Sequence, residues 1–409
     1  MKILFVADGR SPIALHWIRY FLDGDDEIHL ASTYPCARDI PLASLTITPV
    51  AFGELASEQE AGERGKRAAW LRKIVPVGLR TSLREWLAPL TFPNAVQRLR
   101  ALITRVRPDL IHAMRIPFEG MVAALAAPKV PMLVSVWGND LTLHARSNPW
   151  MAYYTRMVLD RTDALHTDCY RDQRMARQWG FASRKPAIVL PGNGGVEGDV
   201  FYHTEHKLQG IGERGEGAVV VNPRGFRAYV RNDTFFRSIP LVLERLPEVR
   251  FLCPAMAGEA QAENWLHELN IAHAVQLLPL QPHSQMADLF RQAQVVVSLT
   301  THDGTPNTLL EAMACGCFPV AGDLESLREW IIPGVNGILT TPDDPSLLAD
   351  AILQALQQSD LRMRAVVHNQ RLVAERAEYG RVMAQVEEFY RKVIVKLPSQ
   401  HPQRKMDSK

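Results

Sequence analysis

Short apolar runs of strand length recur along the chain, separated by stretches of helical period. The first run, Lys2–Ala7 (KILFVA), meets a turn at Asp8–Pro12 and then an amphipathic stretch, Ile13–Leu22, with Ile13, Trp17, Phe21 and Leu22 inward. The same rhythm predicts strands over 27–31, 45–50, 108–113, 131–136, 164–167 and 185–190. Helices are predicted over 118–127, 150–161 and 172–179. A polar, glycine-bearing stretch, 200–216, breaks the rhythm and reads as a linker. Strands then resume over 218–222, 250–253, 275–278, 295–300, 318–321 and 338–339. The accompanying helices are 261–269, 285–291, 346–357, 361–374 and 380–395. Unbroken apolar strands alternating with helices predict an α/β fold with parallel sheets. The tail, 398–409, is polar and basic, the composition of a disordered end.

Length turns this rhythm into two domains. The chain has 409 residues, 47% of them hydrophobic, which exceeds what one core usually serves. A formal net charge of +2 makes no case for nucleic acid, and no such partner is expected. The five cysteines are odd in number and scattered, as suits a reducing cytosol. Cys315 and Cys317 form a C-x-C that reads as small residues filling a corner rather than a metal pair. No apolar run reaches the roughly 18 residues of a membrane span. The start reads as a strand, not a signal peptide, and a cytoplasmic location is expected. One stretch stands apart: 64–107 is rich in Lys and Arg, interleaved with Trp70, Trp86 and several leucines. Two readings stay open for it, an anionic membrane surface or a solvated helical face. The first would place the protein peripherally on the inner membrane face.

Candidate chemistry concentrates between His302 and Val320. A buried strand runs into Asp303-Gly304-Thr305-Pro306, then into Asn307 and Thr308, residues suited to capping a helix that continues through Leu309 to Ala314. A helix N-terminus offers free N–H groups and partial positive charge to an anion such as a diphosphate. Glu311, eight positions after Asp303, sits about one turn in, where a ribose hydroxyl pair could be held. The strand 218–222 ends in a loop with Arg224, Arg227 and Arg231, whose guanidinium groups suit phosphate oxygens. In the first half, Gly9 lies in the turn after the first strand, and no G-x-G-x-x-G accompanies it. His112 ends a strand, at the edge where such folds place ligands, and is either a ligand contact or a satisfied core histidine. Asp140, in Trp137-Gly138-Asn139-Asp140, is either functional or a helix cap.

The block Asp303, Gly304, Thr305, Pro306, then Glu311, Ala312, Met313, Ala314, Cys315, Gly316 resembles the donor-binding signature of the family 4 retaining glycosyltransferases. It departs once, with Asp303 where the family usually has the longer Glu. The resemblance is firm over about 190–350 and weak before it. It implies the GT-B fold, two Rossmann-like domains with parallel sheets facing an interdomain cleft. The expected division is 1–197 as acceptor-binding domain, 198–380 as nucleotide-sugar-binding domain, 381–396 as a helix crossing back, and 397–409 as tail. The implied reaction moves a sugar from a UDP- or GDP-sugar to an acceptor hydroxyl with retention. No metal and no cofactor is implied; the nucleotide sugar is a substrate. Asp303, Glu311 and Arg224 would be catalytic, with His112 and Asp140 on the acceptor wall. Gly9, Arg224, Arg227 or Arg231, Leu280, Asp303, Gly304, Thr305, Pro306, Asn307, Thr308, Leu309 and Glu311 would bind the donor. The acceptor would be a sugar or a lipid-linked glycan of cell-surface polysaccharide or glycolipid synthesis. Competing readings are a catalytically silent sugar-nucleotide-binding protein and another GT-B enzyme, such as a phosphorylase or epimerase.

Overall fold

The computed structural model describes residues 1–51, 83–126, 129–204 and 214–396. It divides into two compact units. One unit is Met1–Asn193 together with the chain from Met383 onward, and the other is Gly194–Val382. Val200 and Phe201, assigned by composition to a linker, belong to the second unit, where Phe201 is buried.

The first unit is built on a parallel sheet of seven strands: β1 (Lys2–Ala7), β2 (Glu27–Ser32), β3 (Ser44–Ile47), β4 (Leu110–Ala113), β5 (Met132–Val136), β6 (Ala164–Thr167) and β7 (Ala187–Val189). Their spatial order is β3-β2-β1-β4-β5-β6-β7. Strands β1, β4 and β5 are almost wholly buried, as expected of a parallel sheet covered on both faces. Helix α1 (Pro12–Tyr20) starts where Ser11 accepts from the Ala14 amide and Pro12 presets the first turn. Further helices of this unit include α2 (Phe92–Val106), α3 (Met121–Ala126), α4 (Pro149–Arg161) and α5 (Tyr170–Gln178).

The helix expected over 118–127 is shorter than its periodicity suggests. Ile116–Gly120 is kinked, with Pro117 extended and Phe118 at φ 65°, ψ −62°. Pro117 disfavours helix at the residue before it and has no N–H to donate. A non-glycine residue held at such angles stores about 1–3 kcal/mol of strain. Regular helix begins only at Met121.

The second unit has six parallel strands: β8 (Val219–Val221), β9 (Arg250–Cys253), β10 (Val275–Leu277), β11 (Val295–Ser298), β12 (Phe318–Gly322) and β13 (Ile338–Thr340). Their order is β10-β9-β8-β11-β12-β13. Around them lie α6 (Asn232–Leu243), α7 (Ala260–Glu268), α8 (His283–Gln292), α9 (Asn307–Ala314), α10 (Pro345–Gln357) and α11 (Ser359–Arg376). Asp344 caps α10 by accepting from the Ser346 and Leu347 amides. A last helix, α12 (Tyr379–Lys396), begins in the second unit and ends in the first. Strand order reverses between β8 and β11 here, and between β1 and β4 in the first unit. Open α/β sheets bind ligands at such reversals, beyond the carboxyl ends of the strands.

Candidate functional site

At the reversal in the second unit, the loops after β8 and β11 are tied together. The Arg231 amide donates to Leu299 O at 2.9 Å and the Thr301 amide to Tyr229 O at 2.9 Å. Gly322 on β12 runs so close to this loop that a Cβ would lie 2.8 Å from Thr300 O. Asp303 is fixed by Ser326, whose hydroxyl donates to Asp303 O at 2.7 Å, and Thr305 by Trp330, whose indole N–H donates to its hydroxyl at 2.9 Å.

Helix α9 begins immediately after this loop, and its start differs from the expectation. Its N-cap is Pro306, which offers no side-chain cap, so Asn307 and Thr308 stand inside the first turn rather than capping it. Asn307 Oδ1 is buried and has no partner among the described residues. Leu309 belongs to the buried face, with Leu310, Ala312 and Met313. An apolar underside therefore anchors a first turn whose amides no side chain caps. Gly316 ends the helix at φ +81°, where glycine is favoured. Cys315 and Cys317 are both buried, and the Cys317 thiol donates to Phe290 O, which fits a packed corner.

Arg224 is the cation aimed at this turn. Its Nη2 lies 2.5 Å from Asp303 Oδ2, and its Nη1 donates to Thr308 Oγ1 at 3.4 Å. A buried asparagine pair shapes its loop: Asn222 accepts from the Arg224 amide and donates to Asn232, which donates in turn to Gly225 O. Gly225 sits at φ +59°. Arg227 and Arg231 differ in their surroundings. Arg231 makes a bidentate pair with Asp233 and a further ion pair with Asp343. Arg227 donates to Tyr229 Oη at 3.1 Å and feels the charge of Asp303. Leu280 follows β10 with its side chain 83% exposed.

Glu311 lies in the second turn of α9, buried on the same helix as Asn307 and Thr308. Burial, with Glu197 adding, pushes its carboxyl up to about 8. His283, the first residue of α8, stands between the two acids. Its Nε2 is 3.7 Å from Glu311 Oε1 and its Nδ1 is 3.5 Å from Glu197 Oε2. Nothing in the sequence pattern joins these three residues, because each comes from a different segment of the chain.

In the first unit, the two expected acceptor-side residues are both buried and bonded within the protein. His112 is fully buried. Its Nδ1 meets Tyr390 Oη at 2.5 Å and its Nε2 meets Ser135 Oγ at 2.8 Å. Ser135 continues to His166, and Trp17 Nε1 donates to Tyr390 Oη. Burial drives the His112 imidazole well below its ordinary range. It is a satisfied core histidine, with no ring nitrogen left for a ligand. Asp140 is also fully buried. It pairs with Arg115 at 2.6 Å and accepts from the Ile116 and Trp137 amides, pinning two loops together. Gly9 donates its amide to Ser32 Oγ at 2.9 Å, and a Cβ there would collide with Ser32 and Cys36. Asp168, Cys169 and Asp172 bring possible metal-ligand atoms within 4.8 Å of one another. They surround the start of α5, and Arg171 neutralises Asp172 at 2.7 Å. The first part of the basic stretch 64–107, up to residue 82, lies outside the described residues. Within its described part, Leu83, Trp86, Leu87 and Leu90 are exposed. Among the described residues, no helix is long and apolar enough to cross a membrane.

Two family models match the chain. Glycosyl transferases group 1 covers residues 225–358, and a glycosyl transferase 4-like domain covers residues 46–192. Together they take in well over half of the sequence. The D-inositol 3-phosphate glycosyltransferase of Corynebacterium urealyticum is 27% identical over 169 residues, 39% of this chain and 39% of that protein. The alignment thus spans well under half the length of that relative. An uncharacterized glycosyltransferase of Methanocaldococcus jannaschii is 24% identical over 260 residues, 62% of this chain and 67% of that protein. The sucrose-phosphate synthase of Thermosynechococcus elongatus superposes with a TM-score of 0.73 at 16% identity, covering 97% of this chain and 100% of that one. Anabaena HepE, crystallised with UDP and glucose, superposes at 0.67 with 15% identity, covering 96% and 100%. Two parallel-sheet units of seven and six strands and these likenesses give the GT-B fold. The chain therefore belongs to the group 1 glycosyltransferases, with a glycosyltransferase 4-like domain ahead of the group 1 domain.

Proposed function

We propose that the protein transfers a sugar from a UDP- or GDP-sugar to an acceptor hydroxyl, with retention at the anomeric carbon. The observation that carries this reading is the Arg224–Asp303 pair set at the uncapped first turn of α9, with Glu311 buried one turn further. Cleaving the donor develops negative charge on the departing diphosphate, and preorganised cations and amides facing it lower the barrier. Arg224, Arg227 and the amides of Asn307 and Thr308 supply that charge from the protein itself, without a metal. As Arg224 turns to phosphate, Asp303 is released to accept from a hydroxyl of the donor sugar. Glu311 accepts from the ribose hydroxyls. Front-face transfer needs no protein nucleophile, so none is assigned.

A sugar or lipid-linked glycan acceptor, in cell-surface polysaccharide or glycolipid synthesis, is proposed together with peripheral binding to an anionic membrane. The basic stretch 64–107 and the exposed Leu83, Trp86, Leu87 and Leu90 support it. Sedimentation with phosphatidylglycerol vesicles is expected, weakened when Arg72, Lys73 and Arg80 become Glu. Absence of binding at low salt removes the membrane from the reading.

The reaction itself is tested by incubating the protein with UDP-glucose, UDP-N-acetylglucosamine and GDP-mannose and following release of UDP or GDP. Release from at least one donor, abolished in Glu311→Ala, is expected. Full activity in Glu311→Ala would refute the ribose role.

A further inference from the structure

The first unit carries its own polar cluster at the β1/β4 reversal, built from the loops after β1, β2 and β4 and from Arg84. Arg10 follows β1 and lies over the Tyr34 ring at 3.8 Å from its centroid. Arg84 reaches the same ring at 5.1 Å and the Phe118 ring at 4.6 Å. Glu119 comes from the kinked segment after β4. It is only 5% exposed, and its Oε1 accepts from the Thr33 hydroxyl at 3.0 Å. Its Oε2 is buried and has no partner among the described residues, and neither does Arg84 Nε. A buried carboxylate oxygen and a buried guanidinium N–H, both unmatched, are costly features that a bound ligand would satisfy.

We infer that Glu119 and Arg84 form the acceptor subsite, holding a vicinal diol of a sugar. One hydroxyl donates to Glu119 Oε2, and the neighbouring oxygen accepts from Arg84 Nε. This rests on the glycosyltransferase reading and deepens it. The site stands where ligands collect in open α/β sheets. It also replaces the acceptor-side residues, His112 and Asp140, whose polar atoms are already matched. Glu119 owes its position to the Phe118 kink, which periodicity alone does not anticipate.

The test uses the whole chain in the presence of UDP or GDP, with methyl α-glucoside, methyl α-galactoside and methyl α-mannoside as probe sugars. Binding is read by saturation-transfer NMR titration of the wild type, Glu119→Gln and Arg84→Gln. At least one glycoside is expected to bind the wild type and to bind each variant about tenfold more weakly, the scale of one lost buried hydrogen bond. Circular dichroism checks folding, and if Glu119→Gln does not fold, the more accessible Arg84→Gln decides. Equal binding to wild type and variants overturns the subsite, and so does a wild type that binds none of the three sugars. Failure of the donor reading shows separately, as a wild type whose Tm neither UDP nor GDP raises.

Discussion

Arg224 holds Asp303 at 2.5 Å and reaches Thr308, in the first turn of α9, with its other terminal nitrogen. The cation expected to meet the diphosphate and the acid expected to meet the donor sugar are thus one pair in the ligand-free protein. Replacing Arg224 by Ala removes charge from the departing diphosphate and leaves Asp303 without its partner. A fall in kcat of about 10²–10³ is expected, the usual effect of losing one such donor. Nucleoside diphosphate release at saturating donor measures it. Arg224→Lys is expected to restore little, because an ammonium cannot span Asp303 and Thr308 together.

Asp303 bears on the choice of sugar. Asp303→Glu adds one methylene and moves the carboxylate further along the same direction. The ranking of donor sugars by kcat/KM is expected to change by about tenfold, the scale of one gained or lost hydrogen bond. Competition between UDP-glucose and UDP-N-acetylglucosamine in one reaction reads the ratio directly. An unchanged ratio would show that Asp303 does not touch the sugar.

Glu311 predicts a pH dependence. Its carboxyl rises from 4.5 to about 8 on folding, mainly through burial and then through Glu197. A raised acid holds its proton in the folded state, so its stabilising effect is complete below about 4.5 and is lost as pH rises toward 8. Glu119, raised by burial to about 7, acts in the same sense. The buried, neutral His112 and His166 act in the opposite sense up to about 6.5, so the ligand-free protein should show its net loss of stability between about pH 6.5 and pH 8, by at most about 1.4 kcal/mol per pH unit for each acid. Glu311→Gln should flatten this slope. Urea unfolding at several pH values measures it.

Tyr390 predicts a purely structural effect. Its hydroxyl meets His112 Nδ1 and accepts from Trp17 Nε1, and its ring stacks on Phe21 at 5.0 Å. Tyr390→Phe keeps the stack and leaves two buried polar atoms unmatched, at a cost of about 1–3 kcal/mol each. Thermal unfolding is expected to show a lowered Tm. No change in Tm would mean that water or a shifted side chain replaces the hydroxyl.

The strands were largely legible in the sequence. Lys2–Ala7, Ala164–Thr167 and Arg250–Cys253 stand where the apolar runs place them. A strand buried on both faces must be apolar throughout, so its pattern is local. The loop geometry was less legible because it depends on partners distant in sequence. The sequence leaves His112 open between a ligand contact and a core histidine, because its partner Tyr390 comes from the last helix. The sequence does not separate Arg231 from Arg227, because the partner Asp343 lies more than a hundred residues away. His283, Glu197 and Glu311 meet only in three dimensions. The Phe118 kink follows from Pro117 only once β4 and α3 fix both ends of the segment.

The central claim is that α9, Arg224 and Glu311 form a nucleotide-sugar site. Thermal unfolding with added UDP or GDP tests it most directly, since a ligand at about 100 times its Kd adds about 2.7 kcal/mol to the folded state. One of the two is expected to raise the Tm of the wild type, and Arg224→Ala and Glu311→Ala are both expected to lose the shift. A wild-type Tm unmoved by either nucleotide, or a shift of the same size in both variants, would contradict it.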